Sequence, residues 1–439
     1  MQTKRLTTIL LCISMTMGLT AQTAREEIKA NKYLSGSNYL DYDNYPATKA
    51  LTPTPKGYEP YLMNHYGRHG ARWLINESQY TEPLNTLRKA KEQGKLTATG
   101  EDVLQQLETV YASSKDRLGD LSSVGERQHH GIGRRMAEHF PEIFKKPGVN
   151  IDARSTVVIR CILSMEAECE ELAAANPTAH FHNDVSQSLQ YYLNQPSTPY
   201  LKEVRKKTRE VRRKLQREFI EQSQPEALTS KLFNDAQWAA DSVKGNSLMY
   251  QLFDVASNMQ SHELGLNLYP IFTEEEIYRQ WRIRNIGWYL DYGAAPQGGG
   301  MQPFSQANLL KDIIQVADTT TQTQAVLRFG HEVCVLPLAC LLELGNCGAS
   351  IENMDELDAT WRNYNIFPMA CNIQLIFYKK RGSNLDNDRD GILVKALLNE
   401  REVSLPIKSK QYPYYRWKDV RQYYLDKLAK FESEARLPE

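Results

Sequence analysis

Two polar motifs that lie far apart in the chain constrain its fold most strongly, because each stands where a short apolar strand is expected to end. The first, Arg68-His69-Gly70-Ala71-Arg72, follows the apolar segment Glu59 to Gly67. The second, His331-Glu332, follows the segment Ala325 to Gly330 and precedes an apolar helix predicted over 333–344. Open α/β sheets bind ligands at the carboxyl ends of their strands, so the two motifs predict an α/β fold with one shared anion pocket.

The first motif has the composition of a phosphate site that contains a nucleophile. Guanidinium groups match phosphoryl oxygens in pairs and stay charged at any biological pH, so Arg68 and Arg72 are predicted phosphate ligands. Because these cations favour the neutral, nucleophilic imidazole of His69, we expect phosphoryl transfer onto this side chain. The alternative interpretation is a polar turn without function.

The second motif and a third segment supply the remaining candidates. His331 is a further phosphate ligand, and Glu332 is an acid that can protonate a leaving alkoxide, although it could equally serve as a charge in a first helical turn. A strand is predicted to end near Ser155 and Thr156, either of which would cap the next helix. Arg160 would lie in the first turn of that helix, where free N–H groups favour an anion; a surface ion pair is the alternative.

A predicted amphipathic helix between Leu201 and Phe219 carries a dense positive face. Apolar residues recur along one side with helical period, while lysines and arginines crowd the other. This face is a candidate polyanion-binding surface, although a solvated charged face or a membrane-surface helix would have the same pattern. The candidate residues are Lys202, Arg205, Lys206, Arg209, Arg212 and Arg213.

The composition is that of a globular protein with a sizeable core. The 439 residues include 53 basic and 53 acidic side chains, so the net charge is zero and nucleic-acid binding is disfavoured. Residues 1–21 have the charged, apolar and small-residue regions of a signal peptide, which predicts export to the periplasm or the medium. No later stretch has transmembrane length, so we expect no stable membrane insertion.

The cysteines that follow the signal peptide are an even set, which an oxidising compartment would allow to pair. Cys161 with Cys169, and Cys334 with Cys340, would be too far apart along a single helix to form a disulfide. A zinc site is the rival interpretation, but the spacing of cysteine and histidine does not support it.

The motifs together resemble those of the histidine acid phosphatases, in the branch that contains phytases and multiple inositol polyphosphate phosphatases. The likeness rests first on Arg68-His69-Gly70-Ala71-Arg72, Arg160 and His331-Glu332. Softer matches extend it over most of the chain: Leu121 to His129, Gly133 to Arg135, Arg154 to Arg160, Ile366 to Asn372 and Leu397 to Glu400.

The resemblance implies a mixed sheet flanked by helices, with an inserted helical cap. The implied α/β core comprises residues 22–180 and 321–439, with a helical excursion at about 75–140, and the cap comprises 181–320. Within that excursion, helical spacing predicts helices over 81–116, with a break at Gly100, and over 126–144. A monomer is expected.

The resemblance also implies a mechanism through phosphohistidine, without a metal or other cofactor. Carried over by position, His69 attacks phosphorus and Glu332 protonates the leaving group. The implied substrates are inositol hexakisphosphate and its lower esters. The implied ligands of the phosphoryl oxygens are Arg68, Arg72, Arg160 and His331.

Two positions depart from the pattern of the family. The inositol polyphosphate branch usually has His-Ala-Glu, and Val333 stands where its acid would be, so Glu332 takes the role that an adjacent aspartate has in bacterial phytases. Trp73 to Asn76 replaces the usual Pro-Thr or Pro-Ser, so specificity contacts are not transferred there.

Other functions stay open on sequence alone. A broad acid phosphatase acting on sugar phosphates or phosphoglycerates is the main alternative, and a phosphoglycerate mutase shares the Arg-His-Gly motif. A protein that binds phosphate esters without cleaving them is the alternative from another class. It would need neither His69 nor the acid at Glu332.

Overall fold

The computed structural model describes residues 22–44, 50–195, 198–385 and 389–435. The predicted signal peptide at 1–21 lies outside these residues, so export stays a prediction. Within the described ranges, no helix combines the length and the apolar character that a membrane span requires.

One eight-stranded mixed sheet organises the chain. Its strands are β1 (Tyr58–Arg68), β2 (Asn150–Ser155), β3 (His180–Asp184), β4 (Ala325–Gly330), β5 (Asn372–Lys380), β6 (Leu393–Leu398), β7 (Arg401–Val403) and β8 (Tyr415–Arg416). Their order is β3-β2-β4-β1-β5-β6-β7, and β8 pairs with β6. The first four strands are mutually parallel, whereas β5 to β8 pair antiparallel.

Helices cover both faces of this sheet and build a layer beside it, so the predicted α/β class is confirmed. They are α1 (Ala24–Ala30), α2 (Ser78–Glu92), α3 (Ala98–Ser114), α4 (Ser123–His139), α5 (Pro141–Phe144), α6 (Ile159–Ala175), α7 (Gln190–Leu193), α8 (Pro199–Glu221), α9 (Glu226–Leu232), α10 (Ala236–Ser242), α11 (Gly245–Asn258), α12 (Glu274–Tyr292), α13 (Ala307–Thr319), α14 (Glu332–Leu341), α15 (Leu357–Thr360) and α16 (Trp417–Ala435).

The register of the parallel strands brings the sequence motifs together. Arg68 at the end of β1 lies opposite Gly330 at the end of β4, and Ser155 of β2 lies opposite Phe329 of β4. Three neighbouring strands therefore end at one edge of the sheet, and their chains continue there into His69, Thr156 and His331. This edge is where a parallel sheet leaves a crevice for a ligand.

The hydrophobic cores show how the helical layer packs. Helices α2 and α3 share one core with α11 and α12, in which Leu84 and Val103 pack in the same cluster as Leu252 and Trp281. The predicted helical excursion and part of the predicted cap therefore bury their apolar faces against each other. The domain boundaries at 180 and 320 stay a prediction.

Several helix boundaries differ from those predicted. The break between α2 and α3 lies before Thr97, which is the N-cap of α3, so Gly100 lies inside α3 and does not break it. Glycine is required at this position because a Cβ there would come within 2.3 Å of the Leu232 carbonyl oxygen. Helix α6 begins at Ile159 with Val158 as its N-cap, since Ser155 is still paired in β2. Neither predicted cap residue serves, but Arg160 does lie in the first turn.

The six cysteines of the described chain are all buried free thiols. Cys161 and Cys169 lie on one helix, α6, and Cys334 and Cys340 lie on one helix, α14. This is the arrangement for which a disulfide within each pair was excluded. Among the described residues, these cysteines therefore form none of the disulfides that export would have allowed, and they pack as small apolar side chains.

Candidate active site

His69 leaves β1 with its ring held in one orientation. Its backbone N–H donates to the Gly330 carbonyl at 3.0 Å, which ties the first motif to the end of β4. Its Nδ1 lies 2.9 Å from the Gly70 carbonyl, which can only accept, so Nδ1 carries the proton and Nε2 carries the lone pair. Nε2 lies 3.7 Å from Oε2 of Glu332, so the nucleophilic nitrogen faces the second motif.

The loop after His69 is fixed from below by helices α4 and α6. The Gly70 N–H donates to Oγ of Ser164 at 3.1 Å, and the Ala71 N–H donates to Oε1 of Gln128 at 2.9 Å. A Cβ at Gly70 would lie 2.4 Å from the carbonyl oxygen of Gly125, so only glycine allows this close approach. Sequence reasoning did not single out Ser164 or Gln128, although Gln128 lies within a segment similar to the family.

Arg68 is fully buried and spans the two motifs. Its Nη1 donates to the carbonyl of Asn38 at 2.7 Å and to those of Phe367 and Pro368 at 3.2 Å each. Its Nε lies 3.0 Å from Oε2 of Glu332, while its buried Nη2 has no hydrogen-bond partner among the described residues. The guanidinium is thus rigidly placed and keeps a donor for an incoming anion.

Arg72 and Arg160 complete a set of three arginines around His69. Arg72 donates from Nη1 to the Trp73 carbonyl at 2.9 Å, and Arg160 donates from Nη1 to the Gly119 carbonyl at 3.4 Å. The Nε atom of each is buried without a hydrogen-bond partner in the described part of the chain. Burial, followed by the charges of Arg68, Arg160 and Arg72, holds the pKa of His69 well below its ordinary range.

The second motif faces this set across the pocket. The rings of His69 and His331 stand edge to face with their centres 5.7 Å apart, and Nε2 of His331 lies 3.4 Å from Oγ1 of Thr156. Cys161 donates its S–H to the Gly330 carbonyl at 3.2 Å, directly beside this ring. The structure therefore brings His69, Arg68, Arg72, Arg160, His331 and Glu332 into one site, as the strand ends predicted.

Glu332 is an ionised carboxylate in this arrangement. Burial alone would raise its pKa, but the charges of Arg68, Arg72 and His331 outweigh burial and bring the pKa of Glu332 to about 2. Ligand atoms of His69, His331 and Glu332 lie within 4.8 Å of one another, a spacing that could hold a metal ion. The three guanidinium groups oppose a cation there and favour an anion.

The basic residues of α8 differ in their exposure and in their partners. Lys202, Lys206, Arg209 and Arg213 are exposed to solvent. By contrast, the Arg205 guanidinium lies 5.6 Å from the centre of the Tyr292 ring, and Arg212 forms an ion pair with Asp291. Their role in polyanion binding stays a prediction.

A pH-dependent stability is expected from His331. Burial and the nearby arginines lower the pKa of His331 to about 4, although the charge of Glu332 acts in the opposite direction. Between pH 6.5 and 4, His331 is therefore protonated in the unfolded chain and neutral in the folded chain. Its contribution to stability is therefore complete above pH 6.5 and is lost as the pH falls toward 4. Between pH 7 and 4.5, urea unfolding of His331→Asn should show an acid-induced loss that is smaller than that of the wild type by on the order of 2 kcal/mol.

The exposed His139 at the end of α4 supplies the control for this measurement. His139→Asn should retain the pH dependence of the wild type. If His331→Asn and the wild type lost stability in parallel over this window, a depressed pKa for His331 would be contradicted.

Similarity to known proteins identifies the family of this chain. The chain belongs to the histidine phosphatase superfamily (branch 2), whose family model matches residues 67–399. That range includes both motifs and Arg160. The family supports phosphatase activity for this chain. Among curated proteins, none has significant sequence similarity to it.

Solved structures share the fold at low sequence identity. The multiple inositol polyphosphate phosphatase of Bifidobacterium longum, in complex with inositol hexasulfate, has a TM-score of 0.70 and 16% identity, over 89% of this chain and 97% of that one. The phytase of D. castellii has a TM-score of 0.64 and 12% identity, over 91% and 85%. The Hafnia alvei phytase in complex with tartrate has a TM-score of 0.54 and 12% identity, over 88% and 100%.

Proposed function

We propose that this protein is an exported phosphomonoesterase that hydrolyses inositol polyphosphates, including the hexakisphosphate, through a phosphohistidine intermediate. The observation that carries the proposal is the position of Nε2 of His69. It carries a lone pair, it is surrounded by Arg68, Arg72 and Arg160, and it lies 3.7 Å from the carboxylate of Glu332. A nucleophile, an anion trap and an acid thus meet at one edge of the sheet.

The reaction proceeds in two displacements. Nε2 of His69 attacks phosphorus as the ester P–O bond breaks, and the leaving alkoxide takes a proton from Glu332. The arginines and His331 hold the phosphoryl oxygens and stabilise the charge of the transition state. Water then attacks the phosphohistidine while the Glu332 carboxylate accepts its proton, and inorganic phosphate and neutral His69 are restored.

Substrate binding allows Glu332 to take up a proton from solvent. In the free site Glu332 pairs with Nε of Arg68 and its pKa is about 2. A phosphoryl dianion competes for the same guanidinium and brings negative charge beside the carboxylate, and both effects raise the pKa of Glu332. An ester in the pocket therefore favours the protonated form of Glu332, which can then act as the acid.

The family and the fold neighbours support the inositol polyphosphate substrate. Proteins of this fold include a multiple inositol polyphosphate phosphatase bound to inositol hexasulfate. The test is phosphate release from inositol hexakisphosphate beside glucose 1-phosphate and 3-phosphoglycerate. Preferred release from inositol esters supports the proposal, and a clear preference for the small esters would overturn the substrate assignment.

The leaving group should reveal the role of Glu332. In Glu332→Gln the amide cannot protonate an alkoxide, so turnover of an inositol or sugar phosphate should fall about 10²-fold or more. Turnover of p-nitrophenyl phosphate should fall much less, because nitrophenolate leaves without a proton. Steady-state kcat for both esters is the measurement, and equal losses on the two would contradict an acid at this position.

A further inference from the structure

A polar cavity of about 480 Å³ adjoins the phosphoryl site and differs from it in charge. It shares two walls with the site. Tyr39 has the Arg72 guanidinium 5.6 Å from its ring centre. Tyr292 also lines the cavity, and burial, followed by charges that include that of Glu332, raises the pKa of Tyr292 to about 12. The cavity is therefore the space that the alcohol portion of an ester bound at His69 would enter.

The cationic groups on the cavity wall are already engaged. Arg212 crosses α12 at Gly287, where a Cβ would lie 3.3 Å from Nε, and forms an ion pair with Asp291. Arg284 donates from Nη1 to Oε1 of Gln280 at 2.9 Å and from Nη2 to the Tyr250 carbonyl at 3.2 Å. Both arginines are thus bound to groups of the protein, although Nε of Arg212 is buried without a hydrogen-bond partner among the described residues.

Asp254 and Glu82 are the two carboxylates lining this cavity that form no ion pair among the described residues, and Glu82 accepts a hydrogen bond from Gln251. Asp254 has no cationic partner within 4.0 Å among the described residues, and it accepts one hydrogen bond, from Nε2 of Gln79 at 2.7 Å. A carboxylate that lines a cavity accepts hydrogen bonds from hydroxyl groups and repels phosphate. Trp288 and Tyr292 line the same cavity and offer apolar faces to the C–H groups of a ring.

We infer that Asp254 is a specificity-determining residue that selects a free hydroxyl on the ring of the substrate. This inference rests on the proposed function. It narrows the preferred substrates to inositol phosphates that carry at least one unesterified hydroxyl near this wall, ahead of the hexakisphosphate. A phosphate placed against Asp254 would meet a like charge, whereas a hydroxyl would donate to it.

The test compares kcat/KM for inositol hexakisphosphate, an inositol trisphosphate and p-nitrophenyl phosphate in wild type and Asp254→Asn. The amide removes the charge and keeps the shape and the acceptor for Gln79. The wild type should prefer the trisphosphate, and Asp254→Asn should raise the ratio of hexakisphosphate to trisphosphate about tenfold. Turnover of p-nitrophenyl phosphate, which has no ring hydroxyl, should change less than twofold.

Asp241→Asn is the matched control, because Asp241 is exposed on α10 and does not line the cavity. An unchanged ratio in Asp254→Asn, or the same shift in Asp241→Asn, would overturn the inference. If Asp254→Asn does not fold, the kcat/KM values of the wild type still test the inference. A wild-type preference for the hexakisphosphate over the trisphosphate would contradict selection of a hydroxyl. Absence of turnover with every ester would instead refute the proposed function.

Discussion

His69→Ala is expected to lower kcat by on the order of 10⁵-fold or more on every phosphate ester, because the nucleophile that forms the covalent intermediate is removed. The fold should survive the change. The contacts that fix this loop are made by backbone groups of Gly70 and Ala71 with Ser164 and Gln128. Initial rates of phosphate release, with folding checked by circular dichroism, are the measurement.

The control for this prediction is His139→Ala, which removes an exposed imidazole at the end of α4. It should retain wild-type turnover. If His69→Ala retained more than about one hundredth of the activity, water rather than His69 would have to be the attacking group, and the covalent mechanism would fail.

Arg68→Met should have the second largest effect, on both activity and stability. It removes one of the phosphoryl ligands, so kcat/KM should fall by about 10²- to 10³-fold. It also leaves Glu332 and three carbonyl oxygens without their buried donor, so the free energy of unfolding should fall by about 3 kcal/mol. Steady-state kinetics and urea unfolding at pH 7 measure the two losses.

A double variant separates the two effects of Arg68. Arg68→Met with Glu332→Gln no longer buries an unpaired carboxylate, so it should recover part of the lost stability and none of the lost activity. The exposed Arg134, replaced by Met, is the control and should leave both quantities unchanged. Recovery of activity in the double variant would contradict a phosphoryl-binding role for Arg68.

The location of the site at one edge of the sheet can be predicted from local sequence patterns. Each motif stands after a short apolar run, and parallel strands place their carboxyl ends together, so the meeting of His69 with His331 required no knowledge of the intervening chain. Arg160 was found by its place in a first helical turn. The predicted N-cap of helix α6, Ser155 or Thr156, is wrong because β2 continues through Ser155 and Val158 is the N-cap.

What sequence patterns could not supply are contacts between distant elements. Gly100 looks like a helix breaker, yet it is the point where α3 meets the backbone at Leu232, and only tertiary packing shows this. Ser164 and Asp254 carry no motif of their own, and their importance comes from the loop and the cavity that they contact. The basic pattern of α8 likewise did not show that Arg212 is paired with Asp291.

The most direct test of the account is whether a phosphoryl group becomes attached to His69 during turnover. The enzyme is mixed with a ³²P-labelled ester and quenched within milliseconds in alkaline detergent, in which phosphohistidine survives, and the labelled peptide is located by mass spectrometry. We expect label on Nε2 of His69 in the wild type and none in His69→Ala. Glu332→Gln should carry more label if water attack becomes slower than the first step. Full turnover without label on any histidine would contradict the covalent mechanism.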